Sequence, residues 1–253
     1  YTDGFLVLHK GRILTERYFN GMGERTLHLS QSMAKSVTAA TAGCLVAQGL
    51  LDPDALITHY LPELEATAYQ GARLRHVLDM TSGVRFNEDY TDPLSDMGRS
   101  DVASGWKPAP VGVTDFPEHM WDLILSLTTL ERPHGELFVY RSIETDVLAF
   151  CMERASGRRL PELVSEFIWQ PMGADESGCF TLDRAGYALA DGGLNATLRD
   201  YARFGALYLH DGFFNGRQIV PAGWVRETRI GDARLFGEPY TLTTPNGAYR
   251  NQF

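Results

Sequence analysis

Ser30-Gln31-Ser32-Met33-Ala34-Lys35-Ser36 opens a run that is poor in helix breakers. From Met33 to Gln48 there is no proline, Gly43 is the only glycine, and alanine recurs at 34, 39, 40, 42 and 47. That composition predicts a helix able to pack close against its neighbours, with Gly49 as its stop. Ser32 and Lys35 are three residues apart, so a helix puts them on one face. Both fall in the first turn, where unpaired backbone N–H groups create a positive field. A lysine there runs against the charge preference of a helix start. Chemistry gives one reason for it: the field disfavours an ammonium and stabilises an oxyanion forming on a substrate of the serine. The plainer reading makes Ser30 or Ser32 an N-cap and nothing more. A second S-x-x-K match, Ser104-Gly105-Trp106-Lys107, lies in Gly/Pro-rich sequence with no predicted helix to hold its two side chains together.

Outward from this stretch, the composition bounds the partners. The 253 residues suffice for a full hydrophobic core. A formal net charge of -9 argues against nucleic acid or an anionic membrane as the main partner. No segment has the uninterrupted apolar length of a membrane span, and no signal peptide is legible from Tyr1 onward. Cys44, Cys151 and Cys179 form no C-x-x-C, and Cys44 and Cys151 stand in apolar helical contexts that predict buried thiols. The seven histidines show no metal-ligand spacing, so neither a metal nor another cofactor is expected.

Along the chain, Phe5-Leu6-Val7-Leu8 and Ile13-Leu14 flank His9-Lys10-Gly11-Arg12 and read as a β-hairpin. Helical patterns follow up to Tyr60, from Leu74 to a stop at Gly83, from Met120 to Leu130, and from Thr145 to Ala155 with Gly157 closing it. Others run from Pro161 to Trp169, from Arg199 to His210, and from Pro221 to Arg229. From Phe86 to about Pro117 the periodicity dissolves, which predicts an ordered lid or binding loop anchored by Tyr90 and Trp106. No repeat or linker divides residues 1–253. They are expected to form one catalytic domain, with a sheet-associated part over 1–50 and 190–253 and a helical lobe and lid over about 51–189.

A serine nucleophile needs a base. No histidine stands in a motif that recommends a Ser-His-Asp triad, and His28 is expected on a strand before the helix. The alternative is a serine–lysine–tyrosine site. Free lysine and tyrosine side chains titrate near about 10, so such a pair must lose about three units, about 4 kcal/mol, to accept protons at neutral pH. Of eleven tyrosines, three stand in Y-x-[NS]: Tyr18-Phe19-Asn20, Tyr140-Arg141-Ser142 and Tyr249-Arg250-Asn251. Position favours Tyr140, on a loop entering a helix.

Ser32-Met33-Ala34-Lys35-Ser36, Leu78-Asp79-Met80-Thr81-Ser82-Gly83, Tyr140-Arg141-Ser142 and Gly192-Gly193-Leu194 with Arg199-Asp200-Tyr201-Ala202-Arg203-Phe204 occur in one order. Together they resemble the serine β-lactamase-related hydrolases, a family of class C β-lactamases, D-alanyl-D-alanine carboxypeptidases and carboxylesterases. The resemblance implies an α+β fold of the β-lactamase and penicillin-binding-protein type, an antiparallel sheet flanked by helices with an inserted helical lobe. It makes Ser32 the nucleophile, Lys35 its base and Tyr140 the proton relay to the leaving amine or alcohol. Tyr90 is implied to close over the substrate, and Asp101, Ser142 and Asp191 to contact it. Ser142 replaces the asparagine of class C β-lactamases, and Asp191 an expected asparagine. The implied chemistry is cleavage of a small amide or ester through an acyl-enzyme. A carboxylesterase, a D-aminopeptidase or β-lactamase-like enzyme, and a catalytically silent ligand-binding relative are the alternatives. The family's third motif is not found up to Phe253, so the chain is expected to be part of a longer protein whose last strands lie beyond it.

Overall fold

The computed structural model describes residues 2–253. Its centre is α1, Met33–Ala47. Ala34, Val37, Ala39, Ala40, Ala42 and Leu45 are all fully buried, and Lys35, Thr38 and Thr41 are buried among them, so this helix is enclosed on every side up to Leu45. The alanine content now has a cause. At Gly43 even a methyl group would lie 2.7 Å from the Trp224 indole.

The remaining elements wrap this helix. The chain opens with β1 (Gly4–His9) and β2 (Arg12–Tyr18), the expected antiparallel hairpin, and then β3 (His28–Leu29). After α1 come α2 (Ile57–Tyr60), a 3-10 turn at Pro62–Ala66 and α3 (Leu74–Leu78). Next are α4 (Asp96–Ala103), α5 (Met120–Ser126), α6 (Ile143–Ser156) and α7 (Leu160–Val164), which runs on into a wider π turn at Ser165–Trp169. The last part holds β4 (Cys179–Phe180), β5 (Leu194–Ala196), α8 (Leu198–Leu209), β6 (Phe213–Phe214), β7 (Arg217–Gln218), α9 (Ala222–Ile230) and α10 (Tyr240–Thr243). Among the described residues the strands make three small antiparallel sheets, β1-β2, β3-β5-β4 and β6-β7. α6 and α7 pack on α1, and α6 also packs on α3.

Three sequence expectations need correction. The helix expected from Met120 to Leu130 ends at Ser126, and Leu130 instead pairs with Val84 in an antiparallel bridge. The helix from Leu74 ends at Leu78 rather than running to Gly83, because other segments take up its end. Gln252 N–H donates to Leu78 O at 2.9 Å, Asn251 N–H to the Asp79 carboxylate at 3.1 Å, and Val139 N–H to Met80 O at 3.0 Å. The stretch from Phe86 to Pro117 is not wholly irregular either, for it contains α4. Ser95 caps α4 by accepting from Gly98 N–H at 2.9 Å. Gly98 is a poor helix former, and here a Cβ would meet Pro93 O at 2.5 Å. That close approach, not helix propensity, selects the residue, and it hides the helix from a propensity reading.

Candidate active site

Ser32 stands at the N-cap of α1, yet its hydroxyl makes no capping bond. Ser30 does not cap either; its Oγ donates to Gln31 O at 3.0 Å. The plain capping reading therefore fails for both serines. Lys35 Nζ donates to Ser32 Oγ at 3.1 Å and to Asp191 O at 2.6 Å. The Asp191 carboxylate is 3.9 Å from the same nitrogen. Ser32 is exposed, while Lys35 is buried beneath it. Gln31, just before Ser32, has a φ of +51°, a left-handed conformation that costs a non-glycine residue about 1 kcal/mol.

Strand pairing assembles this corner. β3 and β5 pair with Leu29 opposite Asn195, and Ser30 N–H donates to Leu194 O at 2.8 Å. The Ser30–Ser32 corner is thereby held beside the Asp191-Gly192-Gly193 turn. At Gly193 a Cβ would fall 2.5 Å from Thr181 Oγ1 and 2.7 Å from Leu189 O, so the turn closes only on glycine.

Tyr140 enters from the loop before α6. Lys35 Nζ lies 5.4 Å from the centroid of its ring, within cation–π range. The other two Y-x-[NS] tyrosines are engaged elsewhere: Tyr18 Oη donates to Glu16 in the hairpin, and Tyr249 packs on Phe138 with centroids 4.4 Å apart. Ser142 donates to Glu88 through its hydroxyl and through its N–H, the latter at 2.9 Å, and Tyr90 Oη donates to Glu88 at 2.7 Å. Glu88 thus ties the lid to the Tyr140 loop. Nothing in its spacing gave it that role in the sequence. Tyr90 is 59% exposed, at the rim. Trp106 reaches the turn from the same lid: its ring edge lies 3.4 Å from where a Cβ on Gly192 would be.

Asp101 lies on α4, buried, with Lys107 Nζ 2.6 Å from its carboxylate. Ser104 Oγ donates to Asp101 O at 3.0 Å, so the second S-x-x-K match does not bring its own pair together. Asp191 is also largely buried, and burial raises its proton affinity above that of an ordinary carboxylate, with the Lys35 charge opposing. Two further buried carboxylates stand on α6. Asp146 accepts from Ala190 N–H at 3.0 Å, and burial, then the Asp191 charge, raises its proton affinity well above the ordinary range. Glu144 accepts from Ser82 Oγ. Sequence reading gave neither a role. No group of three His, Cys, Asp or Glu residues that could hold a metal occurs among the described residues, and no helix among them is long and apolar enough to cross a membrane.

Burial pushes Glu144 up to about 8, against the opposing Arg141 charge. The folded protein therefore keeps a proton that the unfolded chain releases above pH 4.5. The group's contribution to stability is full below that pH and falls as pH rises towards 8, by about 5 kcal/mol at most. Glu144→Gln keeps an acceptor for Ser82 but carries no proton to lose. Its thermal midpoint should gain on the wild type steadily from pH 5 to pH 9. Parallel curves over that range would show that Glu144 titrates normally.

The chain belongs to the β-lactamase family: the family's sequence model matches residues 3–245. It is 36% identical over 255 residues to the 6-aminohexanoate-dimer hydrolase of Paenarthrobacter ureafaciens, covering all of this chain and 64% of that protein. A solved structure from Bacillus anthracis, itself assigned only provisionally as a 6-aminohexanoate-dimer hydrolase, superposes with a TM-score of 0.88 at 32% identity, covering 99% of this chain and 64% of that one. Esterase EstB of Burkholderia gladioli is 28% identical over 174 residues, 66% of this chain and 42% of the esterase. The octameric penicillin-binding protein homologue of Pyrococcus abyssi shares the fold, with a TM-score of 0.75 at 16% identity, over 98% of this chain and 59% of its own. This chain thus spans about two thirds or less of the length of each of these four relatives.

Proposed function

We propose that this protein is a serine hydrolase that cleaves small amides or esters through an acyl-enzyme on Ser32. The observation that carries the reading is the 3.1 Å contact between Ser32 Oγ and a buried Lys35 at an uncapped helix start. Ser32 Oγ attacks the substrate carbonyl as Lys35 takes its proton. The negative charge that develops on the carbonyl oxygen meets the positive end of α1. Tyr140 passes a proton to the departing amine or alcohol, leaving an ester on Ser32 that water hydrolyses by the same proton path in reverse. The amide-cleaving and ester-cleaving relatives named above support this reaction type. A silent binding relative would have no use for a non-capping serine hydrogen-bonded to a buried amine at a helix start. Incubation of the intact protein with a fluorophosphonate should label Ser32 and no other residue. A protein that remains unlabelled at neutral pH lacks an activated serine, and the reading fails.

Substrate choice is proposed to follow from charge. Glu88, Asp101 and Asp191 lie around the site, opposed by Lys35 and Lys107. Their excess negative charge favours a substrate carrying a free ammonium. Asp101→Asn should lower kcat/KM for amino-terminated short amides at least tenfold, about 1.4 kcal/mol, and barely change it for neutral p-nitrophenyl esters, while Asp191→Asn, which also removes a carboxylate beside Lys35, should lower both but the amides at least tenfold more. An equal loss on both substrate types would leave a generic hydrolase.

A further inference from the structure

The third Y-x-[NS] match, Tyr249-Arg250-Asn251, takes no part in the chemistry proposed above, yet the segment it opens lies between the elements that carry that chemistry. Tyr249 packs on Phe138, just before Tyr140, and Gln252 reaches three helices at once. Its carbonyl accepts from Ser36 Oγ at 3.1 Å, in the first turn of α1 directly after Lys35. Its side-chain oxygen accepts from Thr145 Oγ1 at 2.8 Å, in the first turn of α6, and Nε2 donates to Val77 O of α3 at 2.8 Å. One buried residue therefore joins the helix of Ser32 and Lys35 to the helix that follows Tyr140.

The backbone here is strained for the sake of that side chain. Asn251 and Gln252 both adopt the left-handed conformation, with φ of +54° and +63°. Asparagine tolerates that region and glycine is free in it, but glutamine is not. A glycine at 252 would relieve the strain and keep the backbone bond to Ser36. It would lose the amide that reaches Thr145 and Val77, so the strain persists where the side chain is needed. Asn251 fixes the conformation from the neighbouring position. Its Oδ1 accepts from Arg75 at 2.7 Å, and its Nδ2 donates to Thr228 Oγ1 at 3.0 Å. Filling buried space alone would favour a leucine or methionine, which bring no polar group to satisfy.

We propose that Gln252 is a positioning residue: its side chain sets where the Tyr140 end of α6 stands relative to Ser32 and Lys35. This rests on the acyl-enzyme reading above. Ser32 and Lys35 share one turn of α1, so their contact does not depend on α6. Tyr140 comes from a different element, and its distance from them depends on bonds between elements. The loop before it is held by the Phe138–Tyr249 stack and by Val139 N–H on Met80 O. The helix after it is held by Thr145 on Gln252.

The test compares two readouts in Gln252→Met, which keeps the length of the side chain and removes its hydrogen bonds. Fluorophosphonate labelling of Ser32 needs the serine and its base, and fluoride leaves without a proton. Release of p-nitroaniline from an amino-terminated short anilide also needs Tyr140 in place, because the amine cannot depart as an anion. The kcat for the anilide should fall at least about tenfold with KM little changed, while the labelling rate stays within about threefold of the wild type. Thr145→Val breaks the same bond from the α6 side and should show the same divergence, and the double variant should lose little more than either alone. If Gln252→Met does not fold, Thr145→Val is read by itself. An anilide kcat that falls less than about tenfold, or labelling that falls as far as the anilide kcat, overturns the proposal. Either result makes Gln252 a structural residue only and leaves the acyl-enzyme reading intact. A wild-type protein that is labelled but cleaves no anilide also overturns the proposal, and one that is never labelled overturns both.

Discussion

Ser32→Ala should eliminate turnover while leaving the fold as it is. The expected loss in kcat is about 10⁴-fold or more, the scale seen when an activated nucleophile is removed. The stability cost should be small for three reasons. The Ser32 hydroxyl makes no capping bond, the residue is exposed, and among the described residues the hydroxyl's one hydrogen bond is with Lys35. A lost N-cap costs about 1 kcal/mol, so a serine that is not capping should cost less than that. Alanine also suits the helix start sterically, since Ser32 has a φ of -61° and a ψ of -8°. The variant should therefore melt within about 2 °C of the parent, give no fluorophosphonate adduct, and show no acyl-enzyme by mass spectrometry. Activity within tenfold of the wild type would place the nucleophile elsewhere in the chain. A large drop in melting temperature would mean that Ser32 has a structural role that its bonding does not reveal.

What could be read from the sequence was local. The Met33–Ala47 helix, its glycine stop and the opening hairpin follow from spacing and turn residues within a few positions of one another. The Ser32–Lys35 contact follows from helix geometry alone, because three residues make one turn. Choosing Tyr140 over Tyr18 and Tyr249 needed only its place before a helix; its ring centroid lies 5.4 Å from Lys35 Nζ. What stayed hidden depends on long-range closure. The role of Glu88 is fixed by Ser142, 54 residues away, and that of Asp146 by Ala190, 44 residues away. No periodicity within a segment encodes such a pairing. Asp101 and Asp191 were reached only through the family resemblance, and their partners Lys107 and Lys35, and the burial of Asp101, were not legible at all. Leu74–Leu78 ends where it does for the same reason, since the chain near Asn251 and Gln252 returns to take up its last groups.

Tyr140→Phe separates proton transfer from the rest of the site, because it removes one oxygen and little else. The backbone N–H of Tyr140 donates to Tyr240 Oη at 2.9 Å, and that bond does not involve the side chain. The ring that faces Lys35 remains, so the cation–π contact and the position of the base should survive. What disappears is the group proposed to carry a proton to the leaving atom. An amine cannot depart as an anion, so amide cleavage should lose about 10² to 10⁴-fold in kcat with KM little changed. A p-nitrophenolate leaves without a proton, so the corresponding ester should lose at least about tenfold less. The residual activity should also depend less on pH across the range 5 to 8, since the hydroxyl proposed to move the proton is gone. An equal loss on both substrates would assign Tyr140 to activating Ser32 rather than to the leaving group. A rise in KM with kcat unchanged would make its hydroxyl a binding contact only, and the proton would have to reach the leaving group from Lys35 itself.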